Sequence, residues 1–129
     1  MDRKYKLLVI DDDPFILSSI KRQLKEEPFD VMLINNPVDG LTMIDEDKYD
    51  LVLCDVKMEP LSGIDVLDNI KNNNPELPVI MLSGYVDDQL IEKAHKLGCE
   101  EFLIKPLRKK ELIQIIAKTL QKKKKLSDF

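Results

Sequence analysis

Hydrophobic and polar positions along this chain repeat one pattern five times. A short, mostly unbroken apolar run is followed by a longer stretch with apolar residues every three or four positions. The runs are residues 6–10, 31–34, 51–55, 79–82 and 101–104, and such runs read as short strands buried on both faces. The first intervening segment reads as a helix from Asp13, an N-cap followed by Pro14, to about Glu27, where Pro28 stops it. Its apolar stripe is Ile16, Leu17, Ile20 and Leu24, with Phe15 on the far side. A second helix over 37–47 turns Val38, Leu41 and Ile44 inward, and a third over 62–73 turns in Ile64, Leu67 and Ile70. A fourth starts at Asp87 and closes at Gly98, a C′ glycine. The fifth, over 109–122, buries Leu112, Ile113, Ile116 and Leu120 and leaves Ile115 outward beside Glu111 and Thr119. Five β-then-α units predict one α/β domain, a parallel sheet with helices on both faces.

Composition narrows the class. At 129 residues the chain has the size of one domain, and 34% charged residues is well above the usual ~25%. A net charge of −4 without a basic stripe in the folded part argues against nucleic acid as a direct ligand. No apolar run approaches the ~18 residues of a membrane span, and the first four residues lead into a strand, unlike a signal peptide. Cys54 and Cys99 offer neither a disulfide framework nor zinc spacing, and as packed thiols they suit a reducing cytoplasm. The basic run 122–125 complements a helix C-terminus or begins a linker. His95, late in the fourth helix, reads as a surface residue.

Candidate chemistry lies where the strands end. Asp11 and Asp12 follow the first run, Asp55 ends the third, Ser83 follows the fourth and Lys105 the fifth. Each has an ordinary explanation, as a cap, a turn serine or a surface lysine. In open parallel sheets, however, ligands bind outside the carboxyl ends of the strands. With strand order 2-1-3-4-5, Asp11, Asp12 and Asp55 would share one pocket, and Lys105 would start roughly 10 Å from Asp55. Three carboxylates and one ammonium leave a net charge of about −2, which a divalent cation with oxygen ligands neutralises. Mg²⁺ fits, since it takes few carboxylates and keeps several waters. Such a site suits a phosphoryl group, with Asp55 as attacking carboxylate and Ser83 and Lys105 meeting its oxygens.

The motifs Leu8-Val9-Ile10-Asp11-Asp12-Asp13-Pro14, Asp55-Val56-Lys57-Met58 with Pro60 and Gly63, Met81-Leu82-Ser83-Gly84-Tyr85 and Phe102-Leu103-Ile104-Lys105-Pro106 together resemble the receiver domain of bacterial two-component response regulators. The resemblance implies a flavodoxin-like, doubly wound, five-stranded sheet of order 2-1-3-4-5, a receiver over 1–121 and a Lys-rich tail or linker over 122–129. It implies that Asp55 accepts a phosphoryl group, that Asp11, Asp12, Asp55 and the backbone carbonyl of Lys57 hold Mg²⁺, and that Ser83 and Lys105 contact the phosphoryl group. Ser83 and Phe102 would be switch residues, and the 105–106 peptide bond would be cis. Implied partners are a sensor histidine kinase or histidine phosphotransfer protein, with Phe15 a candidate docking residue. An output domain or protein would read the face made by the fourth helix, fifth strand and fifth helix, where Ile115 is a candidate contact. The protein would be a monomer or a phosphorylation-dependent dimer that acts on no separate substrate.

The sequence departs from the family at Met58-Glu59-Pro60, where relatives usually carry Met-Pro, and Glu59 is expected to tune the phosphoryl lifetime. Two other readings remain. One is a receiver-like module that binds without being phosphorylated. The other is a haloacid-dehalogenase-type phosphohydrolase, whose Asp-x-Asp pattern Asp11-Asp12-Asp13 satisfies, although only Glu111 and Asp128 follow Lys105 as acids.

Overall fold

The computed structural model describes residues 4–127, with side chains to 123. Five strands and five helices alternate: β1 (Tyr5–Ile10), α1 (Pro14–Gln23), β2 (Phe29–Ile34), α2 (Pro37–Glu46), β3 (Leu51–Asp55), α3 (Gly63–Asn73), β4 (Val79–Ser83), α4 (Asp88–Lys96), β5 (Glu101–Ile104) and α5 (Lys109–Ser127). The strands form one parallel sheet in the order β2-β1-β3-β4-β5.

Strand alternation divides the core in two. Leu7, Val9, Leu51, Leu53, Ile80, Leu82 and Leu103 face α1 and α5, where Leu17, Ile20, Leu24, Leu112, Ile116 and Leu120 meet them. Leu8, Ile10, Val52, Cys54, Val79 and Met81 face the other layer, packed with Ile44, Ile64, Leu67, Ile70 and Ala94 from α2, α3 and α4. Each large aliphatic side chain so buried contributes about 1.5–3 kcal/mol relative to exposure.

Local signals set most helix ends. Asp13 caps α1 by accepting from the Phe15 N–H at 2.9 Å, with Pro14 in the first turn. Asn36, Ser62 and Asp87 cap α2, α3 and α4. Gly98 follows α4 at φ 107°, a conformation that favours glycine.

Four expectations need correction. Helix α1 ends at Gln23, not near Glu27: Leu24 is its last buried residue, and residues 25–27 are polar and turn toward Pro28. Val38 is exposed, because Pro37, Gly40 and Ile44 take the inward face of α2. A Cβ on Gly40 would sit 2.7 Å from Ile10 Cδ1, so the strand packs directly on that glycine. On α5, Thr119 is buried and Ile115 packs partly against the core, so neither lies on an outward face. The Thr119 hydroxyl is satisfied by donating to the Ile115 carbonyl at 2.8 Å. Finally, α5 runs through the basic segment to Ser127 rather than ending near residue 122, while residues 128 and 129 of the expected tail lie outside the described residues.

Candidate functional site

β1 and β3 are neighbours in the middle of the sheet. Ile10 pairs with Cys54, so the next residues, Asp11 and Asp55, stand side by side at the strand exits. Alternation puts Asp11, Asp55 and Lys105 on the α1–α5 side of the sheet, the side that Val9, Leu53 and Leu103 face. Ser83 and Phe102 share the opposite side with Met81.

Lys105 leaves β5 with its backbone N–H donating to the Ser83 carbonyl at 2.7 Å. Its ammonium then reaches two carboxylates, donating to Asp55 Oδ1 at 3.0 Å and to Asp11 Oδ2 at 3.0 Å. Asp11 is fully buried, and its other oxygen accepts from the Asp13 N–H at 2.9 Å. Asp12 is exposed. One ligand oxygen from each of Asp11, Asp12 and Asp55 lies within 4.8 Å of the other two, a spacing that fits a small oxygen-seeking cation.

Burial raises the Asp55 carboxyl above the ordinary carboxylate range, opposed by the Lys105 hydrogen bond and reinforced by the neighbouring charge of Asp11. Burial alone would lower Lys105, but its hydrogen bonds to Asp55 and Asp11 outweigh it and leave the ammonium raised. The cluster therefore holds one firmly protonated lysine among crowded acids.

Gly63 fixes the backbone beneath Asp55. Its N–H donates to the Val56 carbonyl at 2.7 Å, and an added Cβ would lie 1.8 Å from the Asp55 carbonyl oxygen. Only glycine lets the start of α3 approach this closely.

Ser83 is buried, and its hydroxyl serves its own loop: it accepts from the Tyr85 N–H at 3.1 Å and donates to the Tyr85 carbonyl at 3.2 Å. Phe102 is half-buried against the α2–α4 layer. Phe15 is 82% exposed on the first turn of α1, and His95 is exposed late in α4. The peptide bonds before Pro106 and before Pro60 are both cis, the first as the resemblance implies. Glu59 is exposed and lines a cleft of about 680 Å³ beside the acids, with Asp12, Lys57 and Lys93.

Two features were not anticipated. The Lys105 ammonium bridges Asp11 as well as Asp55. In addition, the Lys57 ammonium lies 4.0 Å from the centroid of the Tyr85 ring, joining the loops after β3 and β4 across the site's rim. The signal was present in the spacing, since Lys57 and Tyr85 each stand two residues beyond a polar strand-exit residue on paired strands.

Comparison with known proteins agrees with this architecture. The chain belongs to the response regulator receiver domain family, whose model matches residues 7–117. The transcriptional regulatory protein ZraR of Klebsiella oxytoca is 37% identical over 101 residues, covering 78% of this chain and 23% of that protein. The two-component response regulator ORR21 of Oryza sativa subsp. indica is 35% identical over 120 residues, covering 92% of this chain and 17% of that protein. The chain thus spans a quarter or less of the length of these relatives. Among solved structures, a response regulator receiver domain protein from Clostridium thermocellum superposes with a TM-score of 0.89 at 36% identity, covering 95% of this chain and 98% of that one. Among the described residues, no helix is long and apolar enough to cross a membrane.

Proposed function

We propose that this receiver accepts a phosphoryl group on Asp55 from the phosphohistidine of a sensor histidine kinase or a histidine phosphotransfer protein. The observation that carries this reading is the Lys105 ammonium held between Asp55 and Asp11 within a three-carboxylate cluster at the strand exits. With Oδ1 bound to Lys105, Asp55 attacks through its other oxygen. The new O–P bond forms as the donor's N–P bond breaks, and the imidazole leaves with the electron pair. Lys105 opposes the rise that burial gives the Asp55 carboxyl and meets the charge of the incoming phosphoryl oxygens.

Asp11, Asp12 and Asp55 with the Lys57 carbonyl would hold Mg²⁺, which supplies charge neutralisation for the phosphoryl group. Ser83 provides the switch. Turning its hydroxyl from Tyr85 toward the phosphoryl group releases the loop after β4, and Phe102, on the same side of the sheet, moves into the freed space. The α4–β5–α5 face then reads out the change to an output domain or protein, in a cytoplasmic signalling chain. The receiver occupies about residues 1–121, with 122–129 the tail or start of a linker, and it acts as a monomer or a phosphorylation-dependent dimer.

Incubation with Mg²⁺ and a small phosphoramidate tests the reading by intact mass. One added phosphoryl group, lost in acid or base and absent from Asp55→Asn, is the expected result. An unmodified wild-type chain would leave a receiver-like binding module instead.

A further inference from the structure

Gln23, the last residue of α1, bonds to a segment far along the chain. Its side-chain Nε2 donates to the Leu107 carbonyl at 3.1 Å, 84 positions along the chain, and to the Ser19 hydroxyl at 3.3 Å. Among the described residues, its buried Oε1 has no hydrogen-bond partner. Turning the amide over would set Oε1 against the Leu107 carbonyl, two acceptors face to face, so the nitrogen must point at the loop. A methionine or leucine would fill this space without stranding a buried oxygen. The amide is therefore explained by what its N–H holds.

What it holds is the short segment between Lys105 and α5. One end of that segment is fixed by the Lys105 N–H on the Ser83 carbonyl at 2.7 Å, and the other by Gln23 on Leu107. The Leu107 side chain also packs with the α1–α5 layer. Helix α1 begins at Pro14, with only its cap Asp13 between it and the pair Asp11 and Asp12, and ends at Gln23. A single helix thus follows the acid pair at one end and carries the clamp on the lysine's loop at the other.

We propose that Gln23 is a positioning residue for phosphoryl transfer: by holding the Leu107 carbonyl it sets where the Lys105 ammonium stands relative to Asp55 and Asp11. The proposal rests on the reading of Asp55 as phosphoacceptor. Gln23 touches neither the acids nor the donor, so its effect falls on the transfer step and not on donor binding.

The test is the rate of phosphoryl incorporation from a small phosphoramidate with Mg²⁺, measured over a range of donor concentrations with the thermal midpoint of each variant. Gln23→Met and the near-isosteric Gln23→Glu, which both lose the N–H donor, are expected to lower the saturating rate by about tenfold with the half-saturating donor concentration unchanged. Gln23→Lys, which keeps a donor, is expected to recover most of the rate. Wild-type saturating rates in both donorless variants, or a loss that Gln23→Lys shares equally, overturn the proposal while the Asp55 reading stands. Absence of label on the wild-type chain overturns both.

Discussion

Lys105 spans from the end of β5 past β4 to place its ammonium 3.0 Å from an Asp55 carboxylate oxygen on β3, and the same ammonium holds Asp11 at the exit of β1. Three strands are therefore tied at their exits by one charge, and the acids it cannot neutralise set the cluster's behaviour.

The cluster is over-supplied with negative charge. Replacing Asp12 by alanine is expected to raise the urea midpoint in the presence of a chelator, because like-charge repulsion falls. In wild type, Mg²⁺ at ten times its dissociation constant should add about 1.4 kcal/mol of stability by linkage. Asp12→Ala should lose that increment. Urea titrations with and without Mg²⁺ check both, and an Mg²⁺-dependent gain that survives in Asp12→Ala contradicts the assignment.

Gly63→Ala is expected to destabilise the fold by about 3 kcal/mol or more, since the new methyl would lie 1.8 Å from the Asp55 carbonyl oxygen and 2.7 Å from Val56 Cα. Backbone must move, and Asp55 moves with it. Chemical denaturation measures the loss, and an unchanged midpoint would contradict the close packing described.

Alkaline pH acts through Cys99, whose buried thiol is pushed up to about 12 from 9.0. A pKa raised in the folded state means that the thiol's contribution is fully present below the unfolded value and is lost as pH rises from 9 toward 12. Between these limits, wild type should lose about 1 kcal/mol more stability per pH unit than Cys99→Ala. Parallel slopes for the two proteins would contradict this. Cys54 is raised further by burial, so neither thiol should react with iodoacetamide in the native state at neutral pH.

The Lys57–Tyr85 contact is exposed and correspondingly modest. A double-mutant cycle with Lys57→Met and Tyr85→Leu should give a coupling of about 0.5–1 kcal/mol. Zero coupling would show that the two loops do not support each other through the ring.

The order of strands and helices was legible because each element carried its own local signal. Asp13-Pro14 marked a helix start, Gly98 marked a helix end, and the runs ending at Asp55 and Ile104 were bounded by charged residues. Strand order was supplied by family resemblance, since periodicity within a strand says nothing of its neighbours. The inward faces of α2 and α5 were misjudged for a common reason: small or polar residues packed where apolar ones were expected. Gly40 is buried because Ile10 lies against it, and Thr119 is buried because it satisfies its own hydroxyl within the helix. The membership of Asp11, Asp12, Asp55 and Lys105 in one cluster was visible once the strand order was granted. The second partner of Lys105 and the clamp from Gln23 were not, because both depend on side-chain reach between elements far apart in the chain.

Borohydride reduction offers the most direct measurement on Asp55, because it converts an aspartyl phosphate to homoserine at the residue that carried it. After brief treatment with Mg²⁺ and a small phosphoramidate, reduction and peptide mapping should find homoserine at position 55 and at no other acidic residue. Homoserine at position 11 or 12, or none in a chain that binds Mg²⁺ normally, would contradict the account.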